Sequence, residues 1–484
     1  MFATALARLR VSASIAFGWR FSSPALEQMV AGMRETYEKF GSIDHARHQL
    51  INGSVLDEET CRQIQLSWFR KQAQRAASET SYYKQLFDQT ALNPTRLSYA
   101  EIAQLPLTTK ETVRQHPDAF VSAKAKPYLR AMTTGTTGQP TCICFSAHEL
   151  KVYSALSAIS YFISGQITPE DIVQLSTSAR GTLGNLCLAG GCAQVGAQVY
   201  LAGIIEPALA LSMLTETRQL AGKKPRTSIL YTYPSYLGQL VETGLRLGYR
   251  PVDFGLEKII VGGEVVSQGL KTRACQLFGE VVFLEGYGMT EIWPVGGRLC
   301  EAGHLHFEPS QGLIEIYNPQ TQALALPGEF GTIVATPFLP YRETTLLLRY
   351  DTGDVVRKLE QAPVCSLKSL PATGKLQGKL KLAVSHETSQ IYPCQLIEAL
   401  EAVEEIPLPA RFGLWEVAGG LAIEVVATNQ TPNVRRKLET ILAQWEIPIQ
   451  ELHLVQNQAQ LQYPYPLRCD LRESNFNQLP KHSL

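Results

Sequence analysis

Tyr128-Leu129-Arg130-Ala131-Met132-Thr133-Thr134-Gly135-Thr136-Thr137-Gly138-Gln139-Pro140-Thr141-Cys142-Ile143-Cys144-Phe145 is the stretch from which the rest of this chain is read. A strand-like run enters a turn of four threonines and two glycines, and a second strand-like run, Cys142 to Phe145, leaves it. Glycine lets the backbone approach a ligand closely and take positive φ. Threonine hydroxyls and bare N–H groups can surround an anion. Thr133, Thr134, Gly135, Thr136, Thr137 and Gly138 therefore read as a phosphate cradle. It is not a Walker A loop, which needs a Gly-Lys-Ser/Thr ending and a following helix. The same composition suits an ordinary hairpin, so the reading depends on what accompanies it.

At 484 residues the chain is long enough for at least two domains. An apolar content of 45% is that of an ordinary globular protein. Lys+Arg and Asp+Glu are both 44, and this zero balance argues against a nucleic-acid partner. Ten cysteines without a regular framework read as reduced thiols of a cytoplasmic protein. No run of about 18 apolar residues is present, so no membrane span is expected. Met1 to Ser23 carries three arginines and no acid. It reads as a basic amphipathic first helix, with an organelle transit peptide as the alternative.

Further along, residues 24–92 read as helical, and Thr109 as the N-cap of a helix beginning after Leu105-Pro106-Leu107-Thr108-Thr109-Lys110. From about 147 to 280, helical and strand-like segments alternate, with one helix expected over Ala208 to Ala221. This alternation implies a parallel sheet in an α/β domain. Ligands of open α/β sheets sit beyond the carboxyl ends of the strands. Three such ends meet Tyr233-Pro234, Gly262-Gly263-Glu264 and Glu285-Gly286-Tyr287-Gly288. Gly312 to Val356 reads as a small β-rich subdomain, Pro371 to Gly378 as a linker, and Leu380 to Leu484 as a small α+β domain. The fold class is thus α/β, with a large N-terminal domain over 1–376 and a small mobile C-terminal domain over 377–484.

Four segments carry chemistry in a fixed order: Thr133 to Gly138; Tyr287-Gly288-Met289-Thr290-Glu291; Arg349-Tyr350-Asp351-Thr352-Gly353-Asp354; and Gly378-Lys379 leading to Ile391-Tyr392-Pro393. This order resembles the adenylate-forming superfamily of acyl-CoA synthetases, peptide-synthetase adenylation domains and luciferases. Leu105 to Lys110 with Arg114, and Thr232 to Tyr236, are similar to its phenylacetate–CoA ligase-like branch.

The resemblance implies a carboxylate ligase that uses ATP and Mg²⁺ and works through an acyl-adenylate. Thr133, Thr137, Glu291 and Lys379 would serve catalysis, and Glu291 would hold the Mg²⁺. Thr133 to Gly138, Gly263, Glu264, Tyr287, Gly288, Thr290 and Asp354 would bind the nucleotide, with the Tyr287 ring against adenine and Asp354 on the ribose hydroxyls. Tyr233, Tyr236 and Gly263, together with Ser178 to Gly181, would line the acyl pocket. Lys381 would be the domain hinge. The acceptor would be CoA or an amine, and a homodimer is the oligomeric state the resemblance suggests. An amide or ester synthetase that does not use CoA, and a degenerate nucleotide- or acyl-binding protein, are the alternatives.

The chain departs from the family at several points. No lysine occurs between Lys437 and Lys481, where the family carries one near the α-phosphate. Arg468 lies in that loop but at another position, and the two side chains are not interchangeable. Gln139 stands where close relatives often have lysine, and Thr388 where a glycine usually lines the thiol tunnel. Cys300, His306 (or His304) and Cys365 match three positions of a zinc site found in some relatives, with Pro363 at the fourth. Three ligands do not close a tetrahedral site, so the expectation is a remnant without zinc. Cys142 and Cys144 read as packed thiols on one strand face.

Overall fold

Ser146 and Glu149 open the helix that follows the Thr/Gly stretch, and their reciprocal bonds anchor the fold around it. In the computed structural model, which describes residues 2–41, 58–133, 141–178, 183–386, 389–418 and 420–470, six helices come first. They are α1 (Phe2–Phe17), α2 (Ser23–Phe40), α3 (Glu58–Glu79), α4 (Ser81–Thr90), α5 (Tyr99–Gln104) and α6 (Lys110–Gln115). Thr109 caps α6 as expected, its hydroxyl accepting from the Thr112 N–H. The antiparallel hairpin of β1 (Pro127–Met132) and β2 (Cys142–Ser146) then leads into α7 (Ala147–Ser164).

The alternating region builds the main sheet. Strands β3 (Ile172–Ser176), β4 (Gln198–Leu201), β5 (Ile229–Thr232), β6 (Lys258–Gly262) and β7 (Val282–Gly288) are separated by α8 (Leu183–Val195), α9 (Pro207–Thr215), α10 (Pro234–Arg246) and α11 (Gln268–Phe278). Pairing runs parallel in the order β4-β3-β5-β6-β7. Beyond β7 it turns antiparallel through β8 (Gly296–Leu299), β9 (Leu305–Phe307) and the short edge strand β14 (Ala372–Thr373). The β-rich subdomain is a five-stranded sheet ordered β11-β10-β12-β13-β15, from β10 (Gly312–Asn318), β11 (Ala323–Leu324), β12 (Phe330–Pro337), β13 (Tyr350–Arg357) and β15 (Gly378–Lys379). After the small hairpin of β16 (Val384–His386) and β17 (Ser389–Ile391), the C-terminal region has its own apolar core. It is built from α12 (Pro393–Glu401), β18 (Phe412–Val417), β19 (Gly420–Val426), α13 (Pro432–Gln444) and β20 (Ile449–Val455).

Two sequence readings need correction. Pro371 to Gly378 is not a free linker: Ala372 pairs with His306, the Phe307 N–H donates to Pro371 O, and Gly378 pairs with Val355. The helix expected to Ala221 stops at Thr215, and the chain folds back so that the Arg218 N–H meets Pro225 O and its guanidinium covers Tyr200.

The segment 342–351 threads through the centre. The Glu149 carboxylate accepts from the Ser146 N–H at 2.6 Å, from the Glu343 N–H at 2.8 Å and from the Thr344 N–H and hydroxyl. Arg342, fully buried, lies 3.9 Å from that carboxylate and 4.2 Å over the Phe145 ring, and donates to the Thr345 and Trp293 carbonyls. The Thr345 hydroxyl closes onto both the N–H and the C=O of Cys144 at 3.0 Å. Further on, the Thr108 N–H donates to Arg349 O. These bonds set β13, and with it Asp351 and Asp354, against the β1–β2 hairpin.

Glu149→Gln would place an amide N–H among donors and leave Arg342 without its carboxylate. The expected loss is about 3 kcal/mol or more, read as a lower urea midpoint at unchanged denaturant slope.

Candidate active site

A cavity of about 1110 Å³ opens beyond the carboxyl ends of β5, β6 and β7. Each of these ends is shaped by its sequence. After β5, Pro234 stands in the first turn of α10, leaving Tyr233 as its N-cap at the cavity wall. After β6, Gly263 takes φ of +86°, and a β-carbon at Gly262 would fall 2.9 Å from Gly286 O. Only glycine fits that turn. The strand β7 continues through Gly288, so Tyr287 and Gly288 belong to the strand and not to a turn after it.

Charged groups converge on this space. Asp354 accepts from the Tyr287 hydroxyl at 3.0 Å and from the Lys379 ammonium at 2.8 Å, and that ammonium also donates to Thr352 O at 2.9 Å. Burial, with Asp354 beside it, holds the Tyr287 phenol well above its ordinary value, so it stays a donor. Glu291 is 1% exposed and accepts from the Lys110 ammonium at 3.0 Å and from the Tyr350 hydroxyl at 3.3 Å. Lys110 is the first residue of α6, and Thr108 before it is fixed by the Tyr83 hydroxyl and Leu348 O, both at 2.7 Å. Lys381, on the short turn after β15, has its ammonium pKa lowered, first by burial and then by Lys110, Lys379 and Arg114. All four of these cations line the cavity.

The C-terminal region contributes one more. Arg468 reaches over the Tyr233 ring at 5.2 Å and its Nε–H donates to Gly263 O at 2.7 Å. Its backbone N–H donates to Glu264 Oε1 at 2.6 Å, while the other Glu264 oxygen accepts from the Ser235 N–H at 2.9 Å. The next N–H, of Cys469, donates to the Ser235 hydroxyl at 3.1 Å.

Most sequence-predicted residues therefore meet at one cavity. Thr133, Tyr233, Gly263, Glu264, Tyr287, Gly288, Thr290, Glu291, Asp354, Lys379 and Lys381 all line it. Thr133 closes the base of its loop, exchanging bonds with Thr141 at 3.0 and 3.1 Å. Thr134, Gly135, Thr136, Thr137 and Gly138, like Gly181 and Thr388, lie outside the described residues. Tyr236 is a correction. It is buried in the core beneath β5 and β6, its hydroxyl donating to Ile205 O at 2.7 Å, and it does not line the cavity. Tyr236 stands in the first turn of α10 on its buried face, whereas Tyr233 precedes that helix as its cap. Lys110 ends the stretch Leu105 to Lys110 that carries part of the resemblance, without an assigned role there; its contact with Glu291 is what places it at the site.

The zinc reading also changes. Cys300, His304, His306 and Cys365 bring their ligand atoms within 4.8 Å of one another, making four ligands and not three. His304 and His306 are two apart entering β9 and so share a face, and the turn from Cys300 to Gly303 brings Cys300 back beside His304. Cys365 Sγ lies 3.2 Å from His306 Nε2, and His306 Nδ1 faces Leu370 O at 3.2 Å. Two thiols and two imidazoles, one of them oriented by a backbone carbonyl, fit a closed tetrahedral zinc set. Of the two strand cysteines, Cys144 is buried and Cys142 half-buried.

Comparison with known proteins adds an independent observation. The profile of the AMP-binding enzyme family matches residues 44–334. A phenylacetate-coenzyme A ligase of Thermus thermophilus is 24% identical over 358 residues, covering 73% of this chain and 78% of the relative. A phenylacetate-coenzyme A ligase of Pseudomonas putida is 24% identical over 359 residues, covering 72% and 77%. The crystal structure of a 2-hydroxyisobutyryl-CoA ligase in the postadenylation state, in complex with 2-HIB-AMP, superposes with a TM-score of 0.67 at 17% identity, covering 81% of this chain and 85% of that one. At that identity the likeness is one of fold.

The four-ligand set predicts about one zinc per chain in protein purified without chelator. Cys365→Ser should lower the metal content measured by atomic emission and lower the melting temperature. Equal metal in variant and parent would remove the site.

Proposed function

Since this chain belongs to the AMP-binding enzyme family, we propose that it activates a carboxylic acid with ATP and passes the acyl group to CoA. The observation that carries this reading is the meeting of Glu291, Asp354 and Tyr287 with Lys110, Lys379 and Lys381 at one cavity beyond β5 to β7. In the first step an oxygen of the acid attacks the α-phosphate, the bond to the β-phosphate breaks, and pyrophosphate leaves with its electron pair. The protein does little covalent work. It holds two anions in line and offsets their charge.

The roles follow from position. The acid lies between Tyr233 and Gly263, and the phosphates meet Thr133 and the loop after it. Asp354 exchanges its bond from Lys379 for bonds from the ribose hydroxyls, which releases the Lys379 ammonium toward the phosphates. Glu291, a hard oxygen donor at the cavity wall, suits Mg²⁺, which when bound neutralises phosphate charge. Lys110 sits beside it and supplies a cation at the same place. The charge that the family takes from a C-terminal lysine falls here to Arg468, whose anchored backbone holds the guanidinium at the mouth of the acyl pocket. The chain after Lys381 acts as a lid that turns about that residue, while Gly378 and Lys379 stay paired to β13 of the body.

CoA is the acceptor adopted because the curated relatives are acid–CoA ligases and the match spans more than two thirds of their length. No helix among the described residues is long and apolar enough to cross a membrane. The reading sets the enzyme in the cytoplasm.

Acid-dependent exchange of labelled pyrophosphate into ATP, across aryl, hydroxy and fatty acids, tests the first half-reaction. Exchange with at least one acid is expected, and Glu291→Gln should lower it roughly 10²–10³-fold with the melting temperature little changed. A folded protein that binds ATP and exchanges with none of these acids would refute the reading. Arg468→Ala should lower exchange on the same scale yet leave CoA thioester formation from supplied acyl-adenylate largely intact; equal loss in both steps would deny Arg468 the adenylation role.

A further inference from the structure

Helix α1 has two apolar faces, and the protein covers only one of them. Ala7 and Val11 are buried in the core, and Ile15, one turn further, reaches the cavity wall. On the opposite side Leu6 is 39% exposed, Leu9 66% and Phe17 55%, and Trp19, just past the helix, is 60% exposed. The Phe17 and Trp19 rings stack with centroids 4.8 Å apart. Ala5 and Ala16 are exposed on the same side. At 3.6 residues per turn Leu9 marks the middle of this stripe, and Arg8 and Arg10 fall about 100° to either side of it. Both arginines are exposed, and no acidic residue precedes Glu27. Arg20, by contrast, is paired with Glu343 at 2.8 Å.

An apolar stripe edged on both sides by arginine is what a helix needs to lie in the plane of a bilayer surface. Leucine and aromatic side chains enter the acyl boundary while the guanidinium groups reach up to the head groups. Tryptophan is favoured at that depth. We propose that α1 docks this protein, without spanning, on an anionic lipid surface.

Charge selects this occupant over a second copy of the chain. A two-fold contact through the stripe would set the arginine edges of one copy against the same stripe of the other. Residues 1–26 carry no acid to pair them, whereas anionic head groups supply that countercharge. Because Ile15 lines the cavity from the inner face, the cavity wall would lie about one helix diameter, roughly 10 Å, from the lipid. Docking itself does not depend on the proposed reaction.

Sedimentation of the full-length chain with vesicles tests this. Vesicles of phosphatidylcholine with phosphatidylglycerol should carry the protein into the pellet, and phosphatidylcholine alone should not. High salt should release it. Arg8→Gln and Arg10→Gln should each weaken partitioning by about fivefold, and Leu9→Glu and Trp19→Glu should abolish it while the melting temperature is kept. Wild-type protein left in the supernatant with anionic vesicles would overturn the proposal, as would binding unchanged by Leu9→Glu. A wild-type dimer in solution that Leu9→Glu converts to a monomer would give the stripe to a second copy instead.

Discussion

The buried carboxylate of Glu149 is the constraint on which the geometry of this molecule rests. It is part of a helix cap, but a cap needs only the bonds to Ser146. The remaining acceptor capacity is spent on backbone and side-chain donors of Glu343 and Thr344, nearly two hundred positions later in the chain. A carboxylate held away from water must be satisfied on all sides, and here the donors come from the two halves of the future cavity. Arg342 completes the arrangement from beneath, buried against Phe145. The distance between the Thr/Gly hairpin and β13 is therefore set by hydrogen bonds of fixed length and not by adjustable apolar packing.

Above that base, charge is arranged on a second principle. Two of the acids that face the cavity already hold a lysine: Glu291 holds Lys110 and Asp354 holds Lys379. Such pairs keep carboxylates tolerable at low exposure before any ligand arrives. They also mean that an incoming polyanion meets cations positioned in advance, with little reorganisation left to do. Lys381 shows the cost: with burial and three cationic neighbours its ammonium is less favourable than in water, and an anion among them would relieve this.

Much of this was legible in the chain. The alternation of strands and helices announced the parallel sheet, and the glycines after β6 announced a backbone turn that no other residue makes. Tyr287, Glu291 and Asp354 could be singled out by their setting in short motifs. What stayed hidden depended on contacts between distant segments. The resemblance set Tyr236 in the pocket with Tyr233, but Tyr236 is the third residue of α10 and its ring lies in the core. His304 looked redundant with His306 until the strand put both rings on one side with Cys365, sixty residues away. Lys110 closed the Leu105 to Lys110 stretch without a role attached to it, and the role came from the carboxylate it meets. The segment around Pro371 read as a linker by composition, yet its backbone groups found partners on two sheets.

The contact between Glu264 and the C-terminal region has a consequence for how such a site can change over time. One carboxylate grips two backbone N–H groups, at Ser235 and Arg468, and the Ser235 hydroxyl takes the next one, at Cys469. Every residue except proline offers that N–H. The backbone part of the loop's docking is thus independent of the side chain at position 468, which adds its own bond to Gly263 O. A substitution there would keep the bonds from the backbone to Glu264 and Ser235, so the position of the loop and the charge it presents can vary separately.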